Sequence, residues 1–211
     1  MDGEGVDNGV SSLIQTVLPK ILSYRLVSLK EYPYTLNLWF MLLKYIIPTP
    51  IGHMEITGSE LGVRSLQLCE GREFNADILA PEISELLGLH PVAECARQLT
   101  AYFAGDRQVF DLKLDWGGAP DFHRQVWAEL VKIPFGTTTS YSSIAERLGN
   151  PAAVRAVGMA NRSNPIAIVV PCHRVIGKAG ELRGYFYGLD TKMMLLRHEN
   201  PVRFAEQGEL F

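Results

Sequence analysis

The sequence predicts an α+β protein in two parts, with short strands and one helix in the first part and mostly helices in the second. Three observations support this prediction. Apolar stretches broken by tight turns run from Tyr45 to Cys69, which is typical of strands. Apolar residues at helical spacing follow Pro91. Beyond the Gly/Pro-rich stretch 115–121, further segments have helical spacing.

Length and composition indicate an ordinary globular protein. The 211 residues suffice for one large domain or two small ones, with 47% hydrophobic and 20% charged residues. The net charge of −3 gives no overall sign of a nucleic-acid partner. The three cysteines, Cys69, Cys95 and Cys172, are an odd number and widely spaced. They suggest neither a disulfide framework nor a zinc knuckle, and therefore a reducing compartment.

The N-terminal residues contain no recognisable targeting signal. Met1 to Asn8 is acidic and polar, unlike the basic start of a signal peptide. The apolar stretch Leu36–Ile47 is interrupted by Asn37 and Lys44 and is shorter than the roughly 20 residues of a membrane span. We therefore expect a packed strand or helix there and no membrane association. The chain also reads like a plausible protein start from Met41 onward.

The pattern divides the chain into an extension at 1–40, a first domain at 41–115 and a second domain at 116–211. The Gly/Pro-rich stretch Asp115–Asp121 is typical of a linker. The elements expected in the first domain are short strands within Tyr45–Cys69, a helix within Leu86–Phe103 that begins at Pro91, and one more strand at Val109–Leu114.

The second domain contains a candidate helix-turn-helix. His123–Lys132 is amphipathic, with Val126, Trp127, Leu130 and Val131 on its apolar face. The candidate pair follows, with one helix at Ser142–Leu148, a break at Gly149-Asn150-Pro151 and a second helix at Ala152–Asn161. An ordinary helix pair has the same pattern.

The second helix of this pair offers small side chains and one early cation, Arg155. Such a surface can approach DNA closely but can hardly read base sequence. The small residues are Ala152, Ala153, Ala156, Gly158 and Ala160. Between Arg147 and Arg183 the local charge is +5, from Arg147, Arg155, Arg162, Arg174, Lys178 and Arg183 against Glu181. This clustering suits phosphate contact, although a solvated basic face is the simpler alternative.

A cysteine and a histidine stand side by side in "IVVPCHRVIG" (168–177). Neighbouring side chains on a strand point to opposite faces, so Cys172 and His173 can cooperate only where the chain turns, as Pro171 favours. An imidazole and the Arg174 guanidinium near a thiol would favour the thiolate, which is the nucleophilic form. The sequence therefore predicts an activated cysteine. Cys69 and Cys95 are expected to be small buried hydrophobes.

These residues closely resemble those of the O6-alkylguanine-DNA alkyltransferases, or methylated-DNA–protein-cysteine methyltransferases. The resemblance covers about Tyr45 to Glu199 and implies a small N-terminal α/β domain of the ribonuclease H-like kind, followed by an α-rich, winged helix-turn-helix-like domain. The matching strings are "TPIG" (49–52), "LTAYFAGDRQVFDLKLD" (99–115), "FHRQVWAELVKIPFGTTTSYSSIAERLG" (122–149), "RAVGMANRSNP" (155–165), "IVVPCHRVIG" and "HEN" (198–200).

The resemblance implies a DNA repair reaction. Cys172 would accept an alkyl group from O6 of guanine, and possibly from O4 of thymine, in one irreversible step. His173 would take the thiol proton through a water, and Glu199 would orient His173, as in acyl-transfer triads. Asn164 would brace the turn before the reactive cysteine. No metal and no organic cofactor is implied.

The resemblance also implies how DNA would be held. The helix-turn-helix would lie in the minor groove, and the target base would be flipped out of the stack. Tyr141 would press the target's backbone, Arg155 would enter the stack, and Ala153 and Arg162 would contact the duplex. The pocket for the flipped base is expected to be formed by Tyr185, Phe186, Tyr187 and Val170.

Two features depart from common family patterns. Many members have small residues after the pocket tyrosine, whereas this chain has Gly184-Tyr185-Phe186-Tyr187-Gly188. The two extra aromatics predict a preference for small alkyl groups. Some members bind zinc in the first domain, but Cys69, Cys95, His53 and His90 do not reproduce that pattern, so no metal is expected.

The expected partner is double-stranded DNA containing O6-alkylguanine, bound by a monomer in the cytoplasm, at the nucleoid of a prokaryote or in a eukaryotic nucleus. Two other functions fit parts of the sequence. A cysteine hydrolase also uses Cys and His, but its histidine lies far away in sequence and it needs an oxyanion hole. A DNA-binding module could contain an incidental thiol. Transfer of a labelled methyl group from DNA to protein distinguishes all three.

Overall fold

A computed structural model of the chain describes residues 43–69 and 90–205. The extension predicted at 1–40 lies outside the described residues, as do residues 86–89 of the segment expected to contain the first helix. Within the described part, a small sheet and a helix come first and several helices follow. The predicted α+β class is therefore confirmed.

The first part contains an antiparallel meander of three strands, β1 (Leu43–Thr49), β2 (Gly52–Ser59) and β3 (Gly62–Leu68). Tight turns join them, as predicted. Gly62 has φ +147°, and a Cβ there would lie 2.6 Å from the Lys113 carbonyl oxygen. Glycine at this position therefore allows a later segment of chain to run directly against β3.

Helix α1 (Pro91–Phe103) packs across all three strands. Its N-cap is His90, whose Nδ1 accepts a hydrogen bond from the Val92 amide at 3.2 Å. The predicted helix is confirmed, and Cys95 is buried in its apolar face as expected. Cys69, expected to be buried too, is only half-buried at the end of β3, where the sheet stops.

The strand predicted at Val109–Leu114 is wrong. A single bridge joins Leu114 to Val63 of β3. The Gln98 side chain satisfies the backbone of Asp111 instead, donating to its carbonyl at 2.8 Å and accepting from its amide at 2.8 Å. An alternating sequence pattern does not reveal that a side chain has taken the place of a strand partner.

The second part contains four helices in the described residues. Ser140 caps the second of them by accepting from the Ser143 amide at 3.1 Å, and Gly149 with φ +73° ends the turn that follows it. The elements are α2 (Asp121–Val131), β4 (Thr139–Ser140), α3 (Tyr141–Arg147), a 3₁₀ turn (Pro151–Ala153), α4 (Val154–Arg162), a 3₁₀ turn (Cys172–Arg174), β5 (Val175–Ile176) and α5 (Leu189–Glu199).

Helices α3 and α4 pack together in the order of the predicted helix-turn-helix, and α2 packs behind α4. The Trp127 indole donates to the Ala160 carbonyl at 2.7 Å. Two side-chain expectations are wrong. Val131 is 47% exposed because it ends α2 beyond the contact with α4. Ala160 is fully buried against α2, so it cannot be part of a DNA-facing surface.

The two parts share one apolar core, and backbone hydrogen bonds join them beside the Cys-His segment. The Leu66 amide of β3 donates to the Pro165 carbonyl at 2.9 Å, and the Ala167 amide donates back to Leu66 at 3.0 Å. The sheet therefore fixes the start of the 164–172 loop. None of the described helices has the length and apolar character needed to cross a membrane.

Candidate active site

The chain turns at Pro171, as predicted. Cys172–Arg174 form a 3₁₀ turn in which the Arg174 amide donates to the Pro171 carbonyl at 3.0 Å. All three side chains of the turn are buried, His173 completely. Just before it, Ile168 has φ +71°, a left-handed conformation that β-branched residues rarely adopt. Backbone strain of this kind persists where the surrounding contacts fix the loop, and it is common at functional sites.

Asn164 joins the loop to the thiol. Its Nδ2 donates to the Val170 carbonyl at 2.7 Å and approaches Cys172 Sγ at 3.1 Å. Its Oδ1 accepts from the Ile166 amide at 3.0 Å. One amide side chain therefore holds the two ends of the loop together and places a donor on the sulfur.

His173 points away from the loop toward the last helix. Its Nε2 lies 2.8 Å from Oε1 of Glu199, at the end of α5. An ionised carboxylate only accepts hydrogen bonds, so Nε2 carries the proton and Nδ1 has the free lone pair. Nδ1 is buried and has no hydrogen-bond partner within the described residues. The free lone pair is therefore available to accept a proton.

Glu199 is the centre of the buried polar network. Besides His173, it accepts from Arg174 Nε at 2.8 Å and Nη2 at 2.9 Å, from the Gly136 amide at 3.1 Å and from the Tyr102 hydroxyl at 2.9 Å. Burial opposes ionisation of Glu199, but the hydrogen bonds and charges of His173 and Arg174 outweigh it and lower its pKa to about 2. The carboxylate is ionised at neutral pH.

The prediction that neighbouring cations keep Cys172 as a thiolate is wrong for the resting protein. Burial raises the pKa of the Cys172 thiol, and the Asn164 hydrogen bond and the Lys192 charge oppose this only in part. Arg174 is not available to stabilise a Cys172 thiolate, because its guanidinium pairs with Glu199 and donates to the Ile133 carbonyl at 2.6 Å. Cys172 is therefore a protonated thiol at neutral pH and needs a base.

The adjacent imidazole can provide that base. Burial lowers the pKa of His173, and the Glu199 carboxylate opposes this only in part. His173 is therefore neutral at neutral pH. A neutral imidazole with a free Nδ1, fixed by a carboxylate on its other nitrogen, is the arrangement of a general base.

Lys192 is a site residue that was not predicted from the sequence. It lies in α5 with its Nζ buried, donating to the Val175 carbonyl at 2.6 Å and the Arg183 carbonyl at 2.7 Å. Burial lowers its pKa to about 8, and a negative charge on the Cys172 sulfur would oppose that shift. A signal existed in the sequence, since Lys192, Leu195, Leu196 and Glu199 form the buried face of α5 at helical spacing.

The three aromatic residues expected to form the pocket differ in how deeply they are buried. The Tyr185 hydroxyl is buried near the thiol without a hydrogen bond of normal geometry in the described residues, and burial raises its pKa. Tyr187 is half-buried, with its ring 5.6 Å from that of Tyr185. Phe186 is 65% exposed, so the expectation that it forms pocket wall is not met. Val170 is fully buried in the core below the loop.

The expected DNA-contacting residues lie on α3 and α4. Tyr141 begins α3 and is half-buried, and burial raises its pKa. Arg155 and Arg162 are exposed at i and i+7 of α4, and Met159 between them is 64% exposed. Ala153 is half-buried at the start of α4. Arg155, Met159 and Arg162 therefore lie on one outer face of α4.

Only some cations of the basic cluster predicted between Arg147 and Arg183 are available for phosphate contact. Arg174 is buried on Glu199, Arg147 pairs with Glu129 at 2.9 Å, and Arg183 pairs with Glu181 at 2.8 Å. A count of charges along the chain could not reveal these partners. The cations of the cluster that have no ion pair with another described residue are Arg155, Arg162 and Lys178.

Comparisons with known proteins agree with this site. Residues 42–116 match the 6-O-methylguanine DNA methyltransferase ribonuclease-like domain, and residues 121–201 match the DNA binding domain of the same family. A methylated-DNA–protein-cysteine methyltransferase of Methanosarcina barkeri is 46% identical over 159 residues, which cover 75% of this chain and 98% of the relative. One from Mycobacterium tuberculosis is 43% identical, covering 72% of this chain and 89% of the relative.

Solved structures extend the likeness to three dimensions. The crystal structure of the Mycobacterium tuberculosis O6-methylguanine methyltransferase superposes with a TM-score of 0.63 at 39% identity, covering 76% of this chain and 94% of that one. A structure of the OGT protein of the same organism in complex with DNA gives 0.62 at 41% identity, covering 74% and 91%. Both domains, the relatives and the arrangement around Cys172 lead to one conclusion: this chain belongs to the 6-O-methylguanine DNA methyltransferase family.

Proposed function

We propose that this protein repairs O6-alkylated guanine in DNA by moving the alkyl group to the sulfur of Cys172. The activity is the one for which its relatives are named. The observation that carries the assignment to Cys172 is its surroundings. Asn164 donates toward the sulfur at 3.1 Å, and the next residue is a neutral, buried imidazole held by Glu199 at 2.8 Å.

The transfer is a single displacement. His173 Nδ1 receives the thiol proton through a water, and the sulfur then attacks the carbon bound to O6. The S–C bond forms as the C–O6 bond breaks, and the electron pair of that bond goes to the guanine, which takes up a proton. No oxidant, reductant or second substrate is needed. The thioether product has no free thiol, so each protein molecule reacts once.

The charge that develops on sulfur is stabilised by groups already in place. The Asn164 amide donor and the buried Lys192 ammonium both favour the thiolate over the thiol. Fixed donors and charges of this kind accelerate a reaction because they need no rearrangement when charge appears. Burial raises the pKa of the resting thiol, so little of the nucleophilic thiolate is present to react with other electrophiles.

Because Cys172 is buried, the target DNA base must leave the duplex to reach it. Cys172 is only 5% exposed, and O6 of a paired guanine is enclosed by pairing and stacking. The target must therefore flip out of the duplex into the protein. Arg155, Met159 and Arg162 on the outer face of α4 are suited to the minor groove, where proteins commonly place arginines and insert apolar side chains. Tyr141 and Ala153 complete the proposed contact.

Several finer points belong to the same proposal. One chain supplies the complete relay of Asn164, Cys172, His173 and Glu199, so a monomer suffices for the proposed reaction. It acts in the compartment that contains the DNA, at the nucleoid of a prokaryote or in a eukaryotic nucleus. Tyr185 covers the flipped base, and Tyr187 rather than Phe186 limits the size of the alkyl group, because Tyr187 is the half-buried one of the two.

The deciding experiment uses a duplex with one O6-methylguanine whose methyl group is isotopically labelled. We expect one label per protein molecule, located by mass spectrometry on the peptide that contains Cys172. Cys172→Ser should bind the duplex and take up no label, while Cys69→Ser and Cys95→Ser should match the parent. Repeated turnover with release of methanol would indicate a hydrolase, and label that stays in the DNA would indicate a binding module.

A further inference from the structure

Tyr102 connects the first part of the chain to the buried relay. It lies in the last turn of α1, is completely buried, and donates its hydroxyl to Glu199 Oε1 at 2.9 Å. The same Oε1 accepts from His173 at 2.8 Å. The tyrosine and the imidazole therefore share one oxygen atom, although Tyr102 and Glu199 are 97 residues apart in sequence.

The tyrosine is held at both ends. His198 Nε2 lies 2.8 Å from the backbone carbonyl of Tyr102. The Tyr102 ring meets those of Phe110, Phe135 and His198 at centroid distances of 5.5, 6.1 and 4.8 Å. Packing on several sides fixes where the hydroxyl points, so the hydrogen bond is part of the built site.

We propose that Tyr102 is a positioning residue for alkyl transfer, through which the first domain orients Glu199 and sets the base strength of His173. The inference rests on the proposed relay of Cys172, His173 and Glu199. It assigns the first domain a part in the chemistry in addition to its part in the fold.

The direction of the effect follows from charge. A hydroxyl that donates to Oε1 takes up part of the carboxylate's negative charge, so less of it is available to stabilise a protonated His173. Tyr102 thereby keeps the pKa of His173 low and the imidazole neutral. Burial and the Glu199 charge both hold the pKa of Tyr102 itself well above its ordinary value. The phenol therefore remains a donor throughout the reaction.

The first test is Tyr102→Phe in the full chain, with the rate of Cys172 methylation by O6-methylguanine duplex measured from pH 5 to pH 9. Because Tyr102 donates a hydrogen bond to the Glu199 carboxylate, we expect its loss to slow alkyl transfer about tenfold, which is about 1.4 kcal/mol in activation free energy. The acid limb of the rate profile, where His173 becomes protonated, should move to higher pH.

A matched control separates this effect from lost stability. Val92→Ala removes buried volume from the same helix, where Val92 is 3% exposed, without touching Glu199. It should lower the melting temperature and leave the acid limb in place. If Tyr102→Phe slows the reaction without moving the acid limb, Tyr102 is only structural and the proposal is wrong.

A second variant should shift the acid limb of the rate profile in the opposite direction. With 3,5-difluorotyrosine at position 102 the hydroxyl is a stronger donor, so the acid limb should move to lower pH. This variant keeps the ring and the hydrogen bond, so it tests the proposal even where Tyr102→Phe folds poorly. An acid limb that does not move would overturn the proposal.

A double variant tests the route through Glu199. In a Glu199→Gln background, Tyr102→Phe should have little further effect, because the carboxylate it acts on is gone. Full additivity would mean that Tyr102 acts by another route. The parent protein distinguishes the two levels of inference. If the parent takes up no methyl group, the proposed function fails, whereas normal uptake with unchanged Tyr102 variants rejects only the role of Tyr102.

Discussion

His173 and Glu199 form a hydrogen bond of 2.8 Å in which the two side chains are 0% and 1% exposed. Arg174, the residue after His173, neutralises the same carboxylate from the other side. A buried carboxylate that satisfies an imidazole and a guanidinium together is costly to disturb, because removing one partner leaves a buried charge unpaired. This arrangement links the stability of the fold to the protonation of its site.

Glu199→Gln should destabilise the protein at neutral pH, by about 3–5 kcal/mol, since it leaves Arg174 without its counterion. The parent should also lose stability in acid. The pKa of Glu199 is lowered from 4.5 to about 2, so its contribution is complete above pH 4.5 and is lost as the pH falls toward 2. The lowered pKa of His173 adds a loss below its ordinary pKa of 6.5.

Urea unfolding at pH 7, 5 and 3 measures both effects. The variant should show a weaker loss than the parent between pH 5 and pH 3, because it lacks the titrating carboxylate. Glu146→Gln, at an exposed position of α3, is the matched surface control. Parent and variant stabilities that agree at pH 7 would contradict the prediction.

Asn164→Ala should raise the pKa of the Cys172 thiol, because it removes the amide donor 3.1 Å from the sulfur. Alkyl transfer should slow by about a hundredfold, the typical cost of losing one fixed donor to a developing charge. The pH dependence of the reaction of Cys172 with iodoacetamide reports the thiol pKa directly. Asn164→Asp retains the acceptor for the Ile166 amide, loses the donor and adds a negative charge beside the sulfur, so it should raise the thiol pKa further than Asn164→Ala. A thiol pKa equal to that of the parent would show that Asn164 only braces the loop.

Arg155→Ala should slow repair of duplex DNA far more than reaction with free O6-methylguanine base. Arg155 is exposed on α4 and is proposed to hold the stack open, a task that the free base does not require. Arg162→Ala, on the same surface, should weaken duplex binding and reduce the salt dependence by about one phosphate contact. Equal losses on duplex and free base for Arg155→Ala would mean a structural role. A salt-independent affinity for DNA would count against the proposed contact.

Tyr187→Gly should accelerate reaction with O6-benzylguanine by about ten- to a hundredfold. Overfilling a packed site costs about 1–3 kcal/mol, and each 1.4 kcal/mol, approximately, is tenfold in rate. Tyr187 is half-buried near the thiol and against Leu68, with burial raising its pKa to about 12. Phe186→Gly is the matched control and should change little, since Phe186 is 65% exposed. If the two variants react at the same rate as the parent, ring size does not set the alkyl range.

A chain that starts at Met41 should fold and repair DNA like the full chain. The match to the family's first domain begins at residue 42, and β1 begins at Leu43. Melting temperature and methyl uptake of the two proteins provide the comparison. An insoluble or inactive shortened chain would show that residues before Met41 support the first domain.

The candidate site could be located from the sequence because its core is local. Pro171 favours a turn immediately before Cys172 and His173, and this local preference depends on no distant residue. Helix α1 could be predicted for the same reason, since Pro91 and the apolar spacing after it suffice. The partners of Arg174 could not be predicted. The sequence shows a cation beside the thiol, whereas the fold directs that cation to Glu199, 25 residues away.

The sequence by itself determined which residues turn, which helices form and which thiol stands beside a histidine, because backbone preferences and apolar spacing act over a few residues. Tertiary structure alone decided what those groups do to one another. It buried the Cys172 thiol and so raised its pKa, brought Lys192 to it, left Phe186 in solvent, and placed the Tyr102 hydroxyl on Glu199. Protonation and hydrogen bonding depend on distance and burial in the folded chain, and residues far apart in sequence set both.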